Sequence, residues 1–186
     1  MRKIVNSTYV TLDGVVSDPH LWSLDYFDED AAAFALGQLR ASDALLMGRA
    51  TYDGFAEAWP ARGGDEFSDT MNKMAKYVAS STLTSPEWNN TTVLSGDLAG
   101  AVRELKQAPG ADILMYGYGP VARTLIAHGL LDELRLWIHP VLRGAGGQLF
   151  GEGVTGAFGK VETRAFASGT VVLVLSEPRD CAWMTS

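Results

Sequence analysis

Residues 112–129 read DILMYGYGPVARTLIAHG, an apolar run followed by a glycine-rich turn and a second apolar segment. The run over 112–116 predicts a buried strand, and 120–129 predicts a helix because proline stands in its first turn and glycine at its end. The turn has the form G-x-G-x-x-A, in which glycines allow close backbone approach and the helix start offers free N–H groups to an anion. The stretch therefore predicts a strand–turn–helix unit with a candidate phosphate site in its turn.

Strands and helices continue to alternate on both sides of this unit. Strands are predicted over 3–12, 43–48, 76–82 and 90–95, helices over 28–42, 51–59, 66–75 and 97–110, and long late strands over 132–142 and 170–178. This alternation is typical of an α/β fold with a mostly parallel sheet. The two late strands have no helical pattern between them, so we expect them to pair antiparallel and the sheet to be mixed.

The bulk composition indicates one globular domain. Of 186 residues, 47% are apolar, which suits a single domain over 1–178 followed by a tail over 179–186. The chain has 15 basic and 22 acidic residues and a formal net charge of −7. Nucleic acids require clustered Lys and Arg, so this scattered and acidic balance excludes a nucleic-acid partner.

Membrane association, disulfides and metal sites are not expected either. No apolar run approaches the ~20 residues of a membrane helix, and 1–14 lack the long apolar segment of a signal peptide. The single cysteine, Cys181, cannot form an intrachain disulfide, and its place in the tail predicts an inert thiol. The three histidines have no ligand spacing, which predicts no metal. Cysteine usage favours a cytoplasmic protein.

Glycines and small polar residues follow four of the predicted strands. In chain order they are Thr11, Asp13 and Gly14, then Gly48, Arg49 and Thr51, then Ser80 and Ser81, and finally Gly117, Tyr118, Gly119, Pro120 and Val121. Ligands of open α/β sheets bind outside the carboxyl ends of the strands, so we expect these residues to form a cradle for a long polar anion. A solvated turn is the alternative for each serine.

Arg49 is the predicted contact for a phosphate on the ribose of such an anion. A guanidinium forks onto phosphate oxygens, and Thr51 adds a hydroxyl at a helix start whose N–H groups are free. The carboxylate that binds an unmodified adenosine ribose is expected at the end of the strand over 132–142, where the sequence has none. The pattern therefore favours a phosphorylated ribose.

Several motifs, taken in this order, resemble the dihydrofolate reductase-like superfamily. They are LLMGRATY (45–52), YVASSTL (77–83) and the long stretch 114–150, within a resemblance that covers residues 3–177. TLDG (11–14) and GLLDEL (129–134) are similar to the branch around the C-terminal reductase domain of the bifunctional riboflavin-biosynthesis protein. The resemblance implies a three-layer α-β-α dihydrofolate reductase-like fold with a mixed, mostly parallel central sheet, and NADPH as the hydride donor.

The same resemblance implies a substrate and roles for residues. The substrate is a ribosylamino-pyrimidine of the 5-amino-6-(5-phosphoribosylamino)uracil type, or a pterin. The resemblance implies that Gly48, Arg49 and Thr51 bind cofactor phosphates and that Ser80 and Ser81 flank the adenosine end. It further implies that residues 117–121 line the pyrophosphate and the nicotinamide. The reacting ring or the substrate would lie beside Thr11, Asp13 and Gly14. One cysteine cannot supply the zinc site of the deaminase half, so reduction alone is expected. Pro120 and Val121 stand where many dihydrofolate reductases have an arginine, which leaves NADPH against NADH open.

Reduction of a heterocycle also requires a proton from an acid or from water. Asp13 and Asp30 are the main candidates. Asp30 and Phe34 have the i, i+4 relation that the resemblance implies for a carboxylate and an aromatic of one cleft. The alternatives are a helix-start acid for Asp30 and a turn former for Asp13. Trp22 is expected either to stack on a planar substrate or to pack as part of a lid.

The residues leave more than one function open. The first is an NADPH-dependent reductase, and the second is a nucleotide-binding module without turnover. A hydrolase using Ser80 or Ser81 is disfavoured because no G-x-S-x-G elbow is present. The glycine-rich stretch 143–153 predicts either a second phosphate nest or a flexible link. The late strands are apolar enough to need covering, so we expect a homodimer.

Overall fold

A computed structural model describes residues 1–151 and 155–179, so the role predicted for Cys181 lies outside the described residues. The strands are β1 Ile4–Thr11, β2 Ser42–Gly48, β3 Ala75–Ala79, β4 Thr91–Leu94, β5 Asp112–Tyr116, β6 Glu133–His139, β7 Ala157–Ala165 and β8 Val171–Arg179. The helices are α1 Glu29–Arg40, α2 Arg49–Ala58, α3 Glu66–Lys73, α4 Leu98–Gln107 and α5 Pro120–Ala127. Across these described ranges, none of the helices has the length and apolarity needed to cross a membrane.

The strands form one sheet in the order β4-β3-β2-β5-β1-β6-β8-β7. The first six strands in this order are parallel to one another. β8 pairs antiparallel with β6, with Leu173 opposite Leu136, which confirms the predicted pairing of the two late strands. β7 runs antiparallel to β8 at the edge of the sheet. The predicted α/β fold with a mixed, mostly parallel sheet is confirmed.

β7 has no counterpart among the predicted elements. Its sequence, AFGKVETRA, places Lys160, Glu162 and Arg164 at alternate positions, and most of its side chains are exposed. An edge strand can carry such charges because they discourage pairing with other chains. The apolar alternation that identifies a half-buried strand is therefore missing from this segment.

Helices cover both faces of the sheet. On one face, Leu39 of α1, Tyr52 of α2 and Met71 of α3 join a buried cluster with side chains of β2 and β5. On the other face, Val102 of α4 and Leu125 of α5 belong to a second cluster. Each fully buried leucine contributes roughly 2 kcal/mol through removal of apolar surface from water. The predicted three-layer arrangement is thus confirmed, with its core on both sides of the sheet.

The helices differ in how they begin. The carboxylates of Asp28, Asp65 and Asp97 accept backbone N–H bonds at the starts of α1, α3 and α4, which confirms Asp97 as an N-cap. α2 and α5 begin instead after Gly48 and Gly119, which offer no side-chain acceptor. α2 also begins two residues earlier than predicted, because the helix already includes Arg49. The first N–H groups of α2 and α5 are therefore left for another partner.

The chain leaves two neighbouring strands in opposite directions. β2 leads through α2 and α3 to β3 on one side, whereas β5 leads through α5 to β6, which lies beyond β1 on the other side. Connections that diverge in this way open a crevice outside the carboxyl ends of the two strands. The fold therefore places a crevice beside the starts of both uncapped helices.

Candidate functional site

A cleft of about 550 Å³ lies where β2 and β5 diverge. Its walls are the segments 48–51, 79–82 and 115–122, which follow β2, β3 and β5. The structure thus brings together most of the residues predicted for the cradle, namely Gly48, Arg49, Thr51, Ser80, Ser81, Gly117, Tyr118, Gly119, Pro120 and Val121. Three segments that are far apart in sequence meet because they end parallel neighbouring strands.

Two glycines keep the base of this cleft narrow. A Cβ atom at Gly48 would lie 3.2 Å from Cγ2 of Val121, and one at Gly117 would lie 3.3 Å from Oγ1 of Thr51. Gly117 also has φ of 75°, a conformation that L side chains rarely adopt. The starts of α2 and α5 therefore approach each other closely only because these positions have no side chain.

Arg49 spans the mouth of the cleft. Its Nε donates to both carboxylate oxygens of Asp53, at 2.7 and 2.9 Å, and Nη1 lies 3.4 Å from Oγ1 of Thr82. The side chains of Arg49 and Asp53 are 43% and 52% exposed. The guanidinium thus links α2 to the loop after β3 at a solvated rim, where a charged ligand can reach it.

Ser80 and Ser81 behave differently in the loop after β3. The hydroxyl oxygen of Ser80 accepts the backbone N–H groups of Thr82 and Leu83, at 3.2 and 3.0 Å. This turn ends β3 at Ala79, three residues before the predicted end of the strand. Ser80 therefore shapes the loop, while Ser81 stands exposed at the cleft.

Thr11 and Asp13 do not line the cleft. The Thr11 hydroxyl donates to Asp13 at 2.5 Å, and the carboxylate also accepts the backbone N–H groups of Gly144 at 2.6 Å and Arg143 at 3.1 Å. These hydrogen bonds, led by the one from Thr11, lower the pKa of Asp13 to about 2. A carboxylate held ionised in this way is a poor proton donor, and Thr11 serves the same turn rather than a ligand.

The backbone N–H groups at the start of the glycine-rich loop, Arg143 and Gly144, therefore bind an anion that belongs to the chain itself, the carboxylate of Asp13. Gly14 continues the contact, since its carbonyl accepts the N–H of Leu149 at 2.8 Å and Val15 pairs with Gln148. A Cβ at Gly14 would meet Oε1 of Gln148 at 2.9 Å. We call residues 11–17 and 141–149 the clasp. In residues 143–149 the two interpretations, phosphate nest and flexible link, are both replaced by these contacts with residues 13–15, and residues 152 and 153 of the predicted stretch lie outside the described residues.

Asp30 and Phe34 do not face one cleft. Asp30 is exposed in the first turn of α1. The Phe34 ring packs 5.4 Å from Trp137, with the guanidinium groups of Arg135 and Arg164 at 5.6 and 5.4 Å. Phe34 lines a separate polar groove along β6, β8 and β7. Asp30 and Phe34 do lie one turn apart on α1, but Phe34 packs against β6 and β7 and not against a ligand pocket.

Trp22 packs inside the protein. It is 7% exposed, its indole N–H donates to the carbonyl of Ser17 at 3.0 Å, and its ring meets His139 edge-on at 5.2 Å. Tyr9 and Tyr26 complete an aromatic surround of His139. This geometry corresponds to the packing alternative for Trp22 and leaves no open ring face for a substrate.

Two tyrosines in the walls of the cleft, Tyr116 and Tyr118, carry buried hydroxyls. The Tyr118 hydroxyl has no hydrogen-bond partner in the described part of the chain, whereas Gln38 lies beside the Tyr116 hydroxyl. The Tyr116 ring lies 5.7 Å from Phe55, and the Tyr118 ring lies 5.6 Å from Phe150 beside the clasp. Burial raises the pKa of Tyr116, so its hydroxyl is a neutral donor. Tyr116 is not among the predicted site residues, although a tyrosine ending an apolar strand was available as a signal.

Comparisons with known proteins place the chain in a family. The sequence matches the family described as RibD C-terminal domain over residues 2–172. It is also similar to the uncharacterized protein YyaP of Bacillus subtilis (strain 168), with 32% identity over 178 residues, which cover 93% of this chain and 94% of that protein.

Solved structures share the fold. A putative riboflavin biosynthesis protein from Shewanella sp. PV-4 aligns with a TM-score of 0.71 at 22% identity, over 97% of this chain and 100% of that one. A diaminohydroxyphosphoribosylaminopyrimidine deaminase/5-amino-6-(5-phosphoribosylamino)uracil reductase from Thermotoga maritima aligns with a TM-score of 0.65 at 15% identity, over 97% of this chain and 57% of that one. The resemblance to the riboflavin-biosynthesis branch is confirmed, and the chain belongs to the RibD C-terminal domain family.

Proposed function

We propose that this protein is an NADPH-dependent reductase of a small heterocycle. The observation that carries the proposal is the cleft between β2 and β5, where two uncapped helix starts, two close-packed glycines and Arg49 converge. Helix starts and a guanidinium attract phosphate groups, and the glycines allow a pyrophosphate to approach the backbone. A long dinucleotide suits a cleft that runs from the end of β5 to the end of β3.

The residues present fit the cofactor along the whole cleft. The pyrophosphate is assigned to the N–H groups at the starts of α2 and α5, beside Gly48 and Gly117. The adenosine end is assigned to Ser81 and Arg49 at the rim. Such a cofactor, when bound, supplies a hydride to the acceptor. The protein's own part is to position the acceptor and to deliver a proton.

For the proton, Asp30 is the better of the two predicted donors. Asp13 has its carboxylate oxygens occupied by Thr11 and by backbone N–H groups. Asp30, by contrast, stands exposed near the start of α1, at the same edge of the sheet as the cleft. Water is the alternative source, and the variant Asp30→Asn separates them, because only a direct donor role predicts a large loss of turnover with unchanged NADP⁺ binding.

The acceptor is proposed from the names of related proteins. The Thermotoga maritima protein is named a 5-amino-6-(5-phosphoribosylamino)uracil reductase. We therefore propose a ribosylamino-pyrimidine of that type, with a pterin as the second candidate. Both contain a pyrimidine-type lactam ring, although the pterin is a larger, fused bicycle.

The test begins with binding and continues to turnover. NADP⁺ is titrated by calorimetry, and NADPH oxidation is followed by its absorbance with 5-amino-6-(5-phosphoribosylamino)uracil and with dihydrofolate. We expect NADP⁺ binding and oxidation with one acceptor. Arg49→Ala is expected to weaken NADP⁺ binding by about 10- to 100-fold through loss of charge-assisted hydrogen bonds. Absence of NADP⁺ binding to the wild type contradicts the proposal.

A second candidate function is nucleotide binding without turnover. It is favoured by the positions of Trp22 and Phe34, which were expected at a substrate but pack into aromatic clusters. In that case NADP⁺ raises the melting temperature while neither acceptor is reduced. The two functions share the cleft and differ only in the second half of the test.

We also propose that two copies associate through the late strands. Val161 on the edge strand β7 is 57% exposed and pairs in register with Leu175 of β8, so both lie on one face of the sheet. Apolar side chains on an exposed sheet face favour coverage by a partner, and a second copy presents the same surface.

A further inference from the structure

Arg49, the cation of the cleft, forms an ion pair with Asp53 of the same helix. Asp53 lies one helical turn after Arg49 on α2, and both of its carboxylate oxygens contact Nε of the guanidinium. Both side chains are about half exposed, so the pair lies at the rim and not in the core. Arg49 is thus partly neutralised before any ligand arrives.

This pairing changes which ribose Arg49 can bind. A guanidinium has five N–H donors, of which Asp53 occupies the Nε edge and Thr82 lies near Nη1. The remaining donors can still contact an anion. A phosphate on the other side of the guanidinium would lie roughly 6 Å from the carboxylate, where two negative charges repel each other even in water. An unmodified ribose carries no charge at this place and avoids the repulsion.

We propose that Asp53 is a specificity-determining residue that limits the preference of this protein for NADPH and allows NADH to bind. The proposal rests on the proposed function, since it concerns the adenosine end of the same cleft. Arg49 favours the phosphorylated ribose, and Asp53 counteracts it. The chain therefore prefers NADP⁺ to NAD⁺ less strongly than it would without Asp53.

A purely structural role for Asp53 predicts something else. Exposed i, i+4 ion pairs stabilise helices only slightly, so the loss of the pair should leave the fold intact. A structural role would then leave the ratio of the two nucleotide affinities unchanged. A specificity role changes that ratio without changing the melting temperature.

The test compares three variants by calorimetry with NADP⁺ and NAD⁺. In Asp53→Asn we expect NADP⁺ to bind about threefold to tenfold more tightly and NAD⁺ no more tightly than in the wild type. The matched control is Glu57→Gln, which removes the same charge from an exposed position one turn further along α2. It should alter neither affinity by more than about twofold, because an exposed charge farther away is screened. Arg49→Ala should abolish the preference for NADP⁺.

Adenosine 2′,5′-bisphosphate and 5′-AMP repeat the comparison without the nicotinamide half, and we expect the same change in ratio. Unchanged or weakened NADP⁺ binding in Asp53→Asn overturns the inference, as does an equal gain in Glu57→Gln. These outcomes leave the proposed function standing if the wild type binds NADP⁺. A wild type that binds neither dinucleotide overturns both.

Discussion

Lys76 is a buried charge whose cost should be visible as a pH dependence of stability. The residue is 0% exposed in β3, and Nζ donates to the carbonyls of Asn72 and Met74 at 2.9 and 2.8 Å. The ammonium also lies 4.3 Å above the Trp88 ring. Burial lowers its pKa from 10.5 to about 8. The two carbonyls and the ring hold the ammonium in place without a carboxylate among its described partners.

The sign and the size of this pH dependence of stability follow from the difference between the pKa of Lys76 in the folded and in the unfolded protein. Below about pH 8 the lysine is charged in both states, and the folded protein carries the full cost of burying it. Between about pH 8 and pH 10.5 the unfolded chain binds more protons, so stability rises with pH. At about 1.4 kcal/mol for each pH unit, the whole window is worth about 3 kcal/mol. The carbonyls and the Trp88 ring favour the charged form, which makes this value an upper bound.

The assay is urea unfolding of the wild type and Lys76→Met at about pH 7 and about pH 9.5. We expect the wild type to gain up to about 2 kcal/mol relative to the variant over this interval, whatever the variant's stability at pH 7. Lys73→Met is the matched control, because Lys73 is exposed three residues earlier and its charge is not desolvated. A difference between wild type and Lys76→Met that stays constant with pH refutes the reasoning.

Three further perturbations probe the cleft, the clasp and the late strands. Gly117→Ala should cost about 1–2 kcal/mol because of its φ of 75° and should weaken NADP⁺ binding. Gly119→Ala has open space at its Cβ and should cost less than about 1 kcal/mol, which is the N-cap preference for glycine over alanine. Asp13→Ala should speed hydrogen exchange at the amides of Arg143 and Gly144, because it removes their acceptor. In the wild type these amides should lose their protection from exchange as the pH falls from about 4 towards 2 and Asp13 is protonated. Unchanged exchange in the variant contradicts the contact that defines the clasp. Val161→Lys should convert a dimer to a monomer in light scattering, and an unaltered mass argues against the late-strand interface.

The parts of the fold that the sequence predicted correctly depend on local signals. An apolar run that ends in glycine, as at Gly48 and Gly117, reveals both a buried strand and the turn after it. Since all parallel strands end at one edge, the residues after β2, β3 and β5 were correctly predicted to meet, whereas those after β1 do not line the cleft. β7 was not predicted because an edge strand need not be apolar, and its alternation of charged residues was not accompanied by an alternation of apolar ones.

Residues whose partners are distant in sequence could not be assigned in this way. Asp13 is 130 residues from Arg143, and nothing near either position reveals that their groups meet. The spacing of Asp30 and Phe34 was informative about one helix face but not about the strand opposite it, where Trp137 fills the space. In both cases the residue type favoured a role in binding or catalysis, whereas the side chain is occupied by a contact with a distant part of the chain.

The difference between these residues and those of the cleft lies in hydrogen-bonding capacity. The carboxylate of Asp13 is ionised because the protein already supplies its donors, and a group satisfied in this way has little left to offer a ligand. The N–H groups at the starts of α2 and α5 and part of the Arg49 guanidinium, by contrast, have no side-chain acceptor at the cleft among the described residues. These donors converge on one cleft, and helix starts together with a guanidinium are the groups that bind phosphate, so their concentration there indicates an anionic ligand. Candidate residues are therefore better ranked by unused donors than by residue type, and by that criterion Arg49 ranks above Asp13.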